Sequence, residues 1–230
     1  MTGTCDLVLW DIDLTLIETG GIGREIYATI FPQVTGVPLA ELGPMHGRTE
    51  LDIVHEALRR HDLPDTADTV QRLLDALAGE FRRRADDLRA RASVLPGVAA
   101  TLTLLGRRGD AVQSLVTGNT REVARLKLEA AGIAEHFRWS CSAFGDEHRD
   151  RSRLVRLARQ RADADGVPVR RVLVIGAPPA DVAAALAGGA RAIGVATGRF
   201  STADLRDAGA DVVLDDLSAT DRVRDALDAA

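Results

Sequence analysis

Short apolar runs recur along the chain and alternate with longer amphipathic stretches. The first four runs cover residues 7–10, 111–116, 172–175 and 192–195, are rich in Val, Leu and Ile, and are closely followed by Gly, Thr or Asp. Brief continuous runs of this kind are typical of strands that are buried on both faces of a parallel sheet. Residues 211–214 predict a further strand.

Helix-length stretches separate these strands. They are predicted at residues 97–106, 120–131, 151–164, 180–187 and 218–229. Because strands that alternate with helices form parallel sheets with helices on both faces, the pattern predicts an α/β fold with a doubly wound parallel sheet.

The segment between the first and second strands breaks this alternation. Helical periodicity appears at residues 23–34, at 49–60 and at 66–92, where it fits one helix or two. We therefore predict an α/β core domain of residues 1–17 and 95–230, with an all-helical cap domain of residues 18–94. The glycines of "ETGGIGR" would form a hinge between them.

Composition narrows the classes of function. The chain has 230 residues and a net charge of −5, so we expect no nucleic-acid partner. Neither a leader peptide nor a run of membrane-spanning length is evident, so we expect a cytoplasmic protein with no membrane partner. Cys5 and Cys141 are too few for a disulfide framework. Lys127 is the only lysine among 29 Lys and Arg residues, so a catalytic cation is expected to be an arginine.

Two acids close the first strand in "WDIDLTL". Residues i and i+2 of an extended chain point the same way, so Asp11 and Asp13 would both face one reacting atom. The carboxyl end of a strand is also where α/β sheets bind ligands. The alternative is a solvated turn in which the acids cap a helix.

A second candidate is the end of the next strand, in "SLVTGNT". The Thr117 hydroxyl and the backbone N–H groups of Gly118 and Asn119 would hold a phosphate oxygen. A simple turn is the alternative.

Two further candidates lie later in the chain. Arg151 begins a predicted helix, where its fixed charge adds to the helix dipole, although Arg149 is close and a solvated face is equally consistent. The run "RVLVIGAPPAD" ends a strand at Gly176 and continues through Ala177 to Asp181.

Taken in this order, the four segments resemble the haloacid dehalogenase-like superfamily. "DIDLTL" resembles its DxDxT signature, "VTG" its second motif, Arg151 its third-motif cation and "GAPPAD" its fourth-motif GDxxxD loop. The helical insertion is similar to a cap of the type that follows the first motif. The resemblance is strongest to the phosphoglycolate-phosphatase-like and sugar-phosphomutase-like members.

The resemblance implies a Mg²⁺-dependent phosphatase that cleaves a small phosphate monoester. Asp11 would form an aspartyl-phosphate, and Asp13 would act first as general acid and then as general base. Thr117 and Arg151 would neutralise charge on the phosphoryl oxygens. Mg²⁺ would be held by Asp11, by the carbonyl of Asp13 and by Asp181.

Substrate contacts are expected from both domains. Gly118 and Asn119 would contact the phosphate. Arg48, in the cap segment "MHGRTE", would hold a substrate carboxylate or a second phosphate if the cap closes, although solvation at the start of a helix explains it as well.

The sequence departs from the family at one position. Ala177 stands where the fourth motif has an aspartate, so the loop resembles a metal site that lacks a ligand. Three outcomes are open: the remaining ligands and water hold Mg²⁺ more weakly, the metal is lost, or Asp146 or Glu147 supplies the missing oxygen. A phosphomutase of the same fold and a phospho-ligand-binding protein without turnover therefore remain alternatives. The natural substrate and the oligomeric state, a monomer included, stay open.

Overall fold

The strands form one large sheet and one short ribbon. The structure is a computed structural model that describes residues 3–229, so residues 1, 2 and 230 of the predicted core range lie outside the described residues. The strands are β1 (Cys5–Trp10), β2 (Ile17–Glu18), β3 (Ser93–Val94), β4 (Ala111–Leu115), β5 (Val169–Gly176), β6 (Arg191–Val195) and β7 (Val212–Leu214). Five of them form a parallel sheet in the order β4-β1-β5-β6-β7, and β2 pairs with β3 in an antiparallel ribbon.

The helices fill the stretches between the strands. They are α1 (Ile22–Thr35), α2 (Glu50–Arg60), α3 (Ala67–Arg83), α4 (Ala85–Arg91), α5 (Val98–Gly106), α6 (Arg121–Ala130), α7 (Arg151–Ala164), α8 (Pro179–Ala187), α9 (Thr202–Asp207) and α10 (Thr220–Ala229). The stretch 66–92 is two helices rather than one. The prediction did not include the short helix α9 or the two-residue strands β2 and β3.

The central strand β1 packs on both of its faces. Val8 and Trp10 belong to one apolar cluster, with side chains of α5, α6 and α10, whereas Leu7 and Leu9 belong to a second cluster, with side chains of α7, α8 and α9. Successive side chains of a strand point to opposite faces, so a run without polar interruptions requires helices on both sides. The predicted doubly wound α/β fold is confirmed.

The helices α1 to α4 form a third apolar cluster, which also includes Val123 of the core helix α6. The ribbon of β2 and β3 stands where the chain enters and leaves this helical layer, and the Leu95 N–H donates to the Leu16 carbonyl beside it at 3.0 Å. The helical layer therefore covers the region beside α6. Its independence as a cap domain stays a prediction.

The order of the strands places a crevice at the end of β1. The chain passes from β1 to β4 on one side and then to β5 on the other, so the connections diverge at the carboxyl end of β1. In open α/β sheets, ligands bind at such a switch point. Within residues 3–229, no helix combines the length and the apolar character needed to span a bilayer.

Candidate active site

A tight turn after β1 brings two carboxylates to one cavity. The Asp11 N–H still bonds the Ile175 carbonyl of β5 at 2.9 Å, and the chain then turns through Leu14, whose φ is 64°. A left-handed residue other than glycine is uncommon and is typical of sites where sterics are overruled by surrounding contacts. Asp11 and Asp13 both line a cavity of about 590 Å³ between the sheet edge and the helices α1 to α3.

The Asp11 carboxylate is buried and held from two sides. Arg151 Nη2 donates to Asp11 Oδ1 at 2.6 Å, and the Thr15 hydroxyl lies 3.4 Å from Asp11 Oδ2. Thr15 in turn accepts a hydrogen bond from the Ala177 N–H at 2.9 Å. Arg151 is the first residue of α7, whose N-cap is Asp150, so the helix start fixes the guanidinium at this edge of the sheet.

Arg151 also lies beside a second buried carboxyl group, that of Asp181. Its Nη2 atom lies 2.9 Å from Asp181 Oδ1 without the alignment of a hydrogen bond, and neither Asp181 oxygen has a hydrogen-bond partner among residues 3–229. Burial therefore raises the pKa of Asp181 well above its ordinary value. A Cβ at Gly176 would lie 2.1 Å from Asp181 Oδ2, so only glycine leaves room for this carboxylate.

Asp13 has a different cation. Lys127 Nζ of α6 lies 2.7 Å from both Asp13 oxygens and from Asn119 Oδ1. Asn119 Nδ2 donates to Asp13 Oδ2 at 2.7 Å as well. Desolvation in the cavity raises the pKa of Asp13, but the charge and hydrogen bonds of Lys127 and the hydrogen bond from Asn119 together outweigh it, so the pKa lies below its ordinary value. Asp13 is therefore held in its charged form in this arrangement.

A third carboxylate, Glu50, lies on the wall that the helices contribute. It accepts a hydrogen bond from the Tyr27 hydroxyl at 2.5 Å, and its own N–H donates to the Gly118 carbonyl at 2.8 Å. Burial raises the pKa of Glu50 from about 4.5 to about 7, and the same burial beside Glu50 raises the pKa of Tyr27. Glu50 thus joins the helix α2 to the loop after β4.

A family model for haloacid dehalogenase-like hydrolases matches residues 8–186, which include all four motif segments of this site. The chain belongs to this family. A comparison with curated proteins found no match.

Several solved structures share the whole fold of this chain. A protein described as a predicted phosphatase from Clostridium acetobutylicum is 18% identical, with a TM-score of 0.69 and coverage of 98% of this chain and 99% of that chain. A hydrolase from Pseudomonas syringae is 19% identical, with a TM-score of 0.67 and the same coverage. A predicted phosphoglycolate phosphatase from Haemophilus somnus is 16% identical, with a TM-score of 0.65 and coverage of 97% and 99%. At these identities the likeness establishes the fold.

Several residues predicted from the haloacid dehalogenase-like motifs meet at the cavity. Its walls include Asp11, Asp13, Gly118, Asn119 and Arg151.

Thr117 is fully buried beside this group. Its Oγ1 accepts hydrogen bonds from the Asn119 N–H and from Asn119 Nδ2, at 3.2 and 2.9 Å. Its hydroxyl oxygen therefore orders the loop that presents Gly118 and Asn119. A Cβ at Gly118 would lie 2.0 Å from the Arg48 carbonyl oxygen, so the loop and the segment before α2 approach through glycine.

The arginines near the cavity have separate partners. Arg48 lines the cavity, but its guanidinium is paired with the Asp52 carboxylate at 2.7 Å. Arg149 also pairs with Asp52, at 3.2 Å, and is about half exposed. Of Arg149 and Arg151, only Arg151 reaches Asp11.

The residues that would hold a metal ion in this family are partly present. Among residues 3–229, no three His, Cys, Asp or Glu side chains form a metal-binding group. The Asp13 side chain faces Lys127, and Ala177 presents a methyl group that is fully buried. Asp11, the Asp13 carbonyl and the Asp181 oxygens, which lack hydrogen bonds, nevertheless fit Mg²⁺, which accepts oxygen ligands and retains water in several positions.

Neither acid expected to replace the missing ligand reaches the site. Glu147 accepts hydrogen bonds from the Phe144 N–H and from Arg161. Asp146 accepts from the Arg121 N–H at 3.3 Å and lines a separate surface cavity. In the structure, therefore, neither Asp146 nor Glu147 lies where it could supply the oxygen that Ala177 lacks.

Proposed function

We propose that this chain hydrolyses a small phosphate monoester through an aspartyl-phosphate on Asp11. The observation that carries the proposal is the Asp11 carboxylate at the base of the cavity, with Arg151 Nη2 2.6 Å from its Oδ1. A phosphoryl group that reached this carboxylate would meet a nucleophile and a fixed cation together. Such positioning and charge stabilisation account for most of the catalysis of phosphoryl transfer.

The reaction divides into two displacements. An Asp11 oxygen attacks phosphorus, the bond from phosphorus to the ester oxygen breaks, and a protonated Asp13 gives its proton to that oxygen. In the second step water gives a proton to Asp13 and attacks phosphorus, which releases inorganic phosphate and restores the Asp11 carboxylate. Lys127 favours the charged form of Asp13. The resting site therefore has Asp13 in the protonation state that the second step requires.

The charge on the phosphoryl oxygens is met by Arg151 and by the loop of Gly118 and Asn119. Asp11, the Asp13 carbonyl and Asp181 would hold Mg²⁺, which when bound supplies further positive charge to these oxygens. With Ala177 in the fourth motif, we expect a weaker affinity for the metal than a further carboxylate would give.

The cavity suits a small anionic substrate. Its volume of about 590 Å³ is within the range of small-molecule sites. Arg24, His46 and Arg199 line it in addition to the groups near Asp11. A compact phosphate ester is therefore the proposed substrate class.

Two observations favour a second candidate, a protein that binds a phosphorylated ligand without turnover. Ala177 removes a metal ligand of the family, and the ion pair with Lys127 opposes the protonation that Asp13 needs to act as an acid. A phosphomutase differs from both candidates, because it would return the phosphoryl group to a sugar hydroxyl instead of water.

The test is phosphate release from para-nitrophenyl phosphate, and then from a panel of natural phosphate esters, across a Mg²⁺ titration that starts in EDTA. We expect turnover in the wild type and a loss of about 1,000-fold or more in Asp11→Asn. Asp86→Asn, at an exposed position of α4, is the matched control and should retain the wild-type rate. No turnover on any ester from folded protein would favour the binding protein, and a hexose phosphate isomer as product would identify the mutase.

A further inference from the structure

Lys127 is a buried cation inside a helix whose role the motifs do not account for. It lies on α6 between Leu126 and Leu128, and its side chain is 7% exposed. The family motifs assign cationic roles to Arg151, and the arginine-rich composition gives no reason to expect a lysine here. A buried ammonium is costly unless it is paired, so its partners must lie in place when the chain is folded.

These partners occupy every hydrogen-bonding position of the ammonium. A lysine ammonium has three N–H donors, and three oxygens lie 2.7 Å from Lys127 Nζ: Asp13 Oδ1, Asp13 Oδ2 and Asn119 Oδ1. The group is therefore saturated before any substrate enters. A saturated ammonium orients its partners rather than binding a phosphate.

The contacts hold Asp13 from two directions. Lys127 approaches the carboxylate from α6, and Asn119 Nδ2 approaches Oδ2 from the loop after β4. The same Asn119 side chain bonds the Lys127 ammonium through its Oδ1 atom. The three side chains thus form a closed ring, and rotation of the Asp13 carboxylate would break at least two of its bonds.

The helical layer completes the surroundings of the ammonium. The Phe81 ring of α3 has its centroid 5.6 Å from Lys127 Nζ, within the range of a cation–π interaction. The next residue, Arg82, pairs with Glu122 of α6 at 2.5 Å. Lys127 therefore lies between the loops at the sheet edge, which carry Asp13 and Asn119, and the helix α3, which carries Phe81.

We propose that Lys127 is a positioning residue that fixes the Asp13 carboxylate, through a ring closed by Asn119, in the orientation from which Asp13 transfers protons. This inference rests on the proposed function, because the orientation matters for turnover only if Asp13 handles a proton. The ring itself can be tested without turnover.

The first experiment uses the single lysine as a probe. Protein labelled with ¹⁵N only in lysine has one Nζ signal, and protons held in three hydrogen bonds exchange slowly with water. We expect one ammonium correlation at neutral pH in the wild type, and its loss in Asp13→Ala, which removes two of the three acceptors. Arg125→Met, which removes an exposed cation from the same helix, should leave the signal in place. A signal absent from the wild type, or unchanged in Asp13→Ala, would overturn the proposal.

The second experiment separates positioning from structural support. We expect Lys127→Met to lower kcat by about 100-fold, the order expected when a proton-transfer group is misplaced by about 1 Å. KM should stay within about twofold, because the ammonium does not bind substrate. Lys127→Arg should recover part of kcat, and Arg125→Met should keep all of it.

A double-mutant cycle decides whether the effect passes through Asp13. In the Asp13→Ala background we expect Lys127→Met to cause little further loss of kcat, because residues that act through one another are not additive. Independent, multiplicative losses would overturn the proposal, as would a lower urea midpoint in Lys127→Met with kcat unchanged. If no protein in the series turns over any ester, the proposed function fails, and the ammonium signal still decides whether Lys127 holds Asp13.

Discussion

Asp11 and Asp13 are two residues apart on one turn, yet their surroundings differ. Asp11 is 4% exposed and shares Arg151 with a second buried carboxylate, Asp181. The Asp13 side chain is 35% exposed and is paired with Lys127. The first environment is closed and has two carboxyl groups beside one cation, whereas the second is open to the cavity and has one carboxylate beside one cation.

The difference follows from the two faces of the sheet edge. Arg151 comes from α7, on the face of β1 that carries Leu7 and Leu9, and Lys127 comes from α6 on the opposite face. The two aspartates at the end of β1 thus contact one cation from the helices on each face of the sheet. In the proposed mechanism, the deeper group would make the covalent attack and the more exposed group would exchange protons with water.

The largest expected effect comes from removing the cation of the closed environment. Arg151→Met leaves Asp11 and Asp181 buried without a positive charge, so we expect the free energy of unfolding to fall by about 3–5 kcal/mol. Lys127→Met should lower the free energy of unfolding by less, because water can hydrate the Asp13 carboxylate. Urea unfolding in EDTA measures both, with Arg151→Lys as the control that keeps the charge. Equal losses for the two Met variants would contradict the comparison.

Glu50 provides a third environment for a carboxyl group, because a phenol hydroxyl rather than a cation contacts its carboxylate. Its pKa is about 7 in the folded chain and about 4.5 when unfolded, so the unfolded state releases its proton first as the pH rises. The stability that the protonated carboxyl contributes is complete below pH 4.5 and is lost between about pH 4.5 and 7. A shift of this size is worth about 3 kcal/mol.

Glu50→Gln isolates this contribution, because an amide can accept the Tyr27 hydrogen bond without titrating. We expect the stability difference between wild type and variant to move by about 3 kcal/mol in favour of the variant from pH 4.5 to pH 7.5. Glu135→Gln, at an exposed position, should show no such trend. A difference that is constant with pH would show that Glu50 titrates normally.

Much of the fold was predictable because the buried strands are continuous apolar runs. The predicted strands at 7–10 and 172–175 lie within β1 and β5, and the structure extends each by a few residues. The ribbon of β2 and β3 was not predicted, because each of its strands has only two residues. The family resemblance also led us to expect Asp11 and Arg151 at one site, although nothing in the sequence indicated which side of β1 each partner would occupy.

The partner of Asp13 could not be predicted from local pattern. Lys127 sits in an amphipathic helix, 114 residues from Asp13 in the chain, and its neighbours predict packing rather than chemistry. The one available signal was compositional, since a single lysine in an arginine-rich chain is unusual. Arg48 shows the reverse, because Asp52, four residues on, offers a local partner at helical spacing and the two are paired in the structure. The substrate contact of Arg48 stays a prediction.

The smallest expected effect comes from restoring the missing acid of the closed environment. Ala177→Asp would add a carboxylate beside Asp11 and Asp181, where Arg151 is the cation they already share. In EDTA we expect this to lower the free energy of unfolding by about 2 kcal/mol, because a further buried charge lacks a partner. Mg²⁺ should reverse the loss, since a ligand of the folded state stabilises it in proportion to its affinity. The Mg²⁺ concentration for half-maximal stabilisation, and for half-maximal turnover, should both fall below the wild-type values.

Ala177→Asn separates the charge from the size of the new side chain. The loss of stability in EDTA can come from crowding at a fully buried methyl position. In that case Ala177→Asn and Ala177→Asp will lower the free energy of unfolding equally, and Mg²⁺ will restore the stability of neither variant. If it comes from the charge, only Asp will be rescued. A Mg²⁺ midpoint that is unchanged or raised in Ala177→Asp would mean that water and the existing oxygens already complete the site. The vacancy at residue 177 would then be a feature of a working metal site rather than a weakness in it.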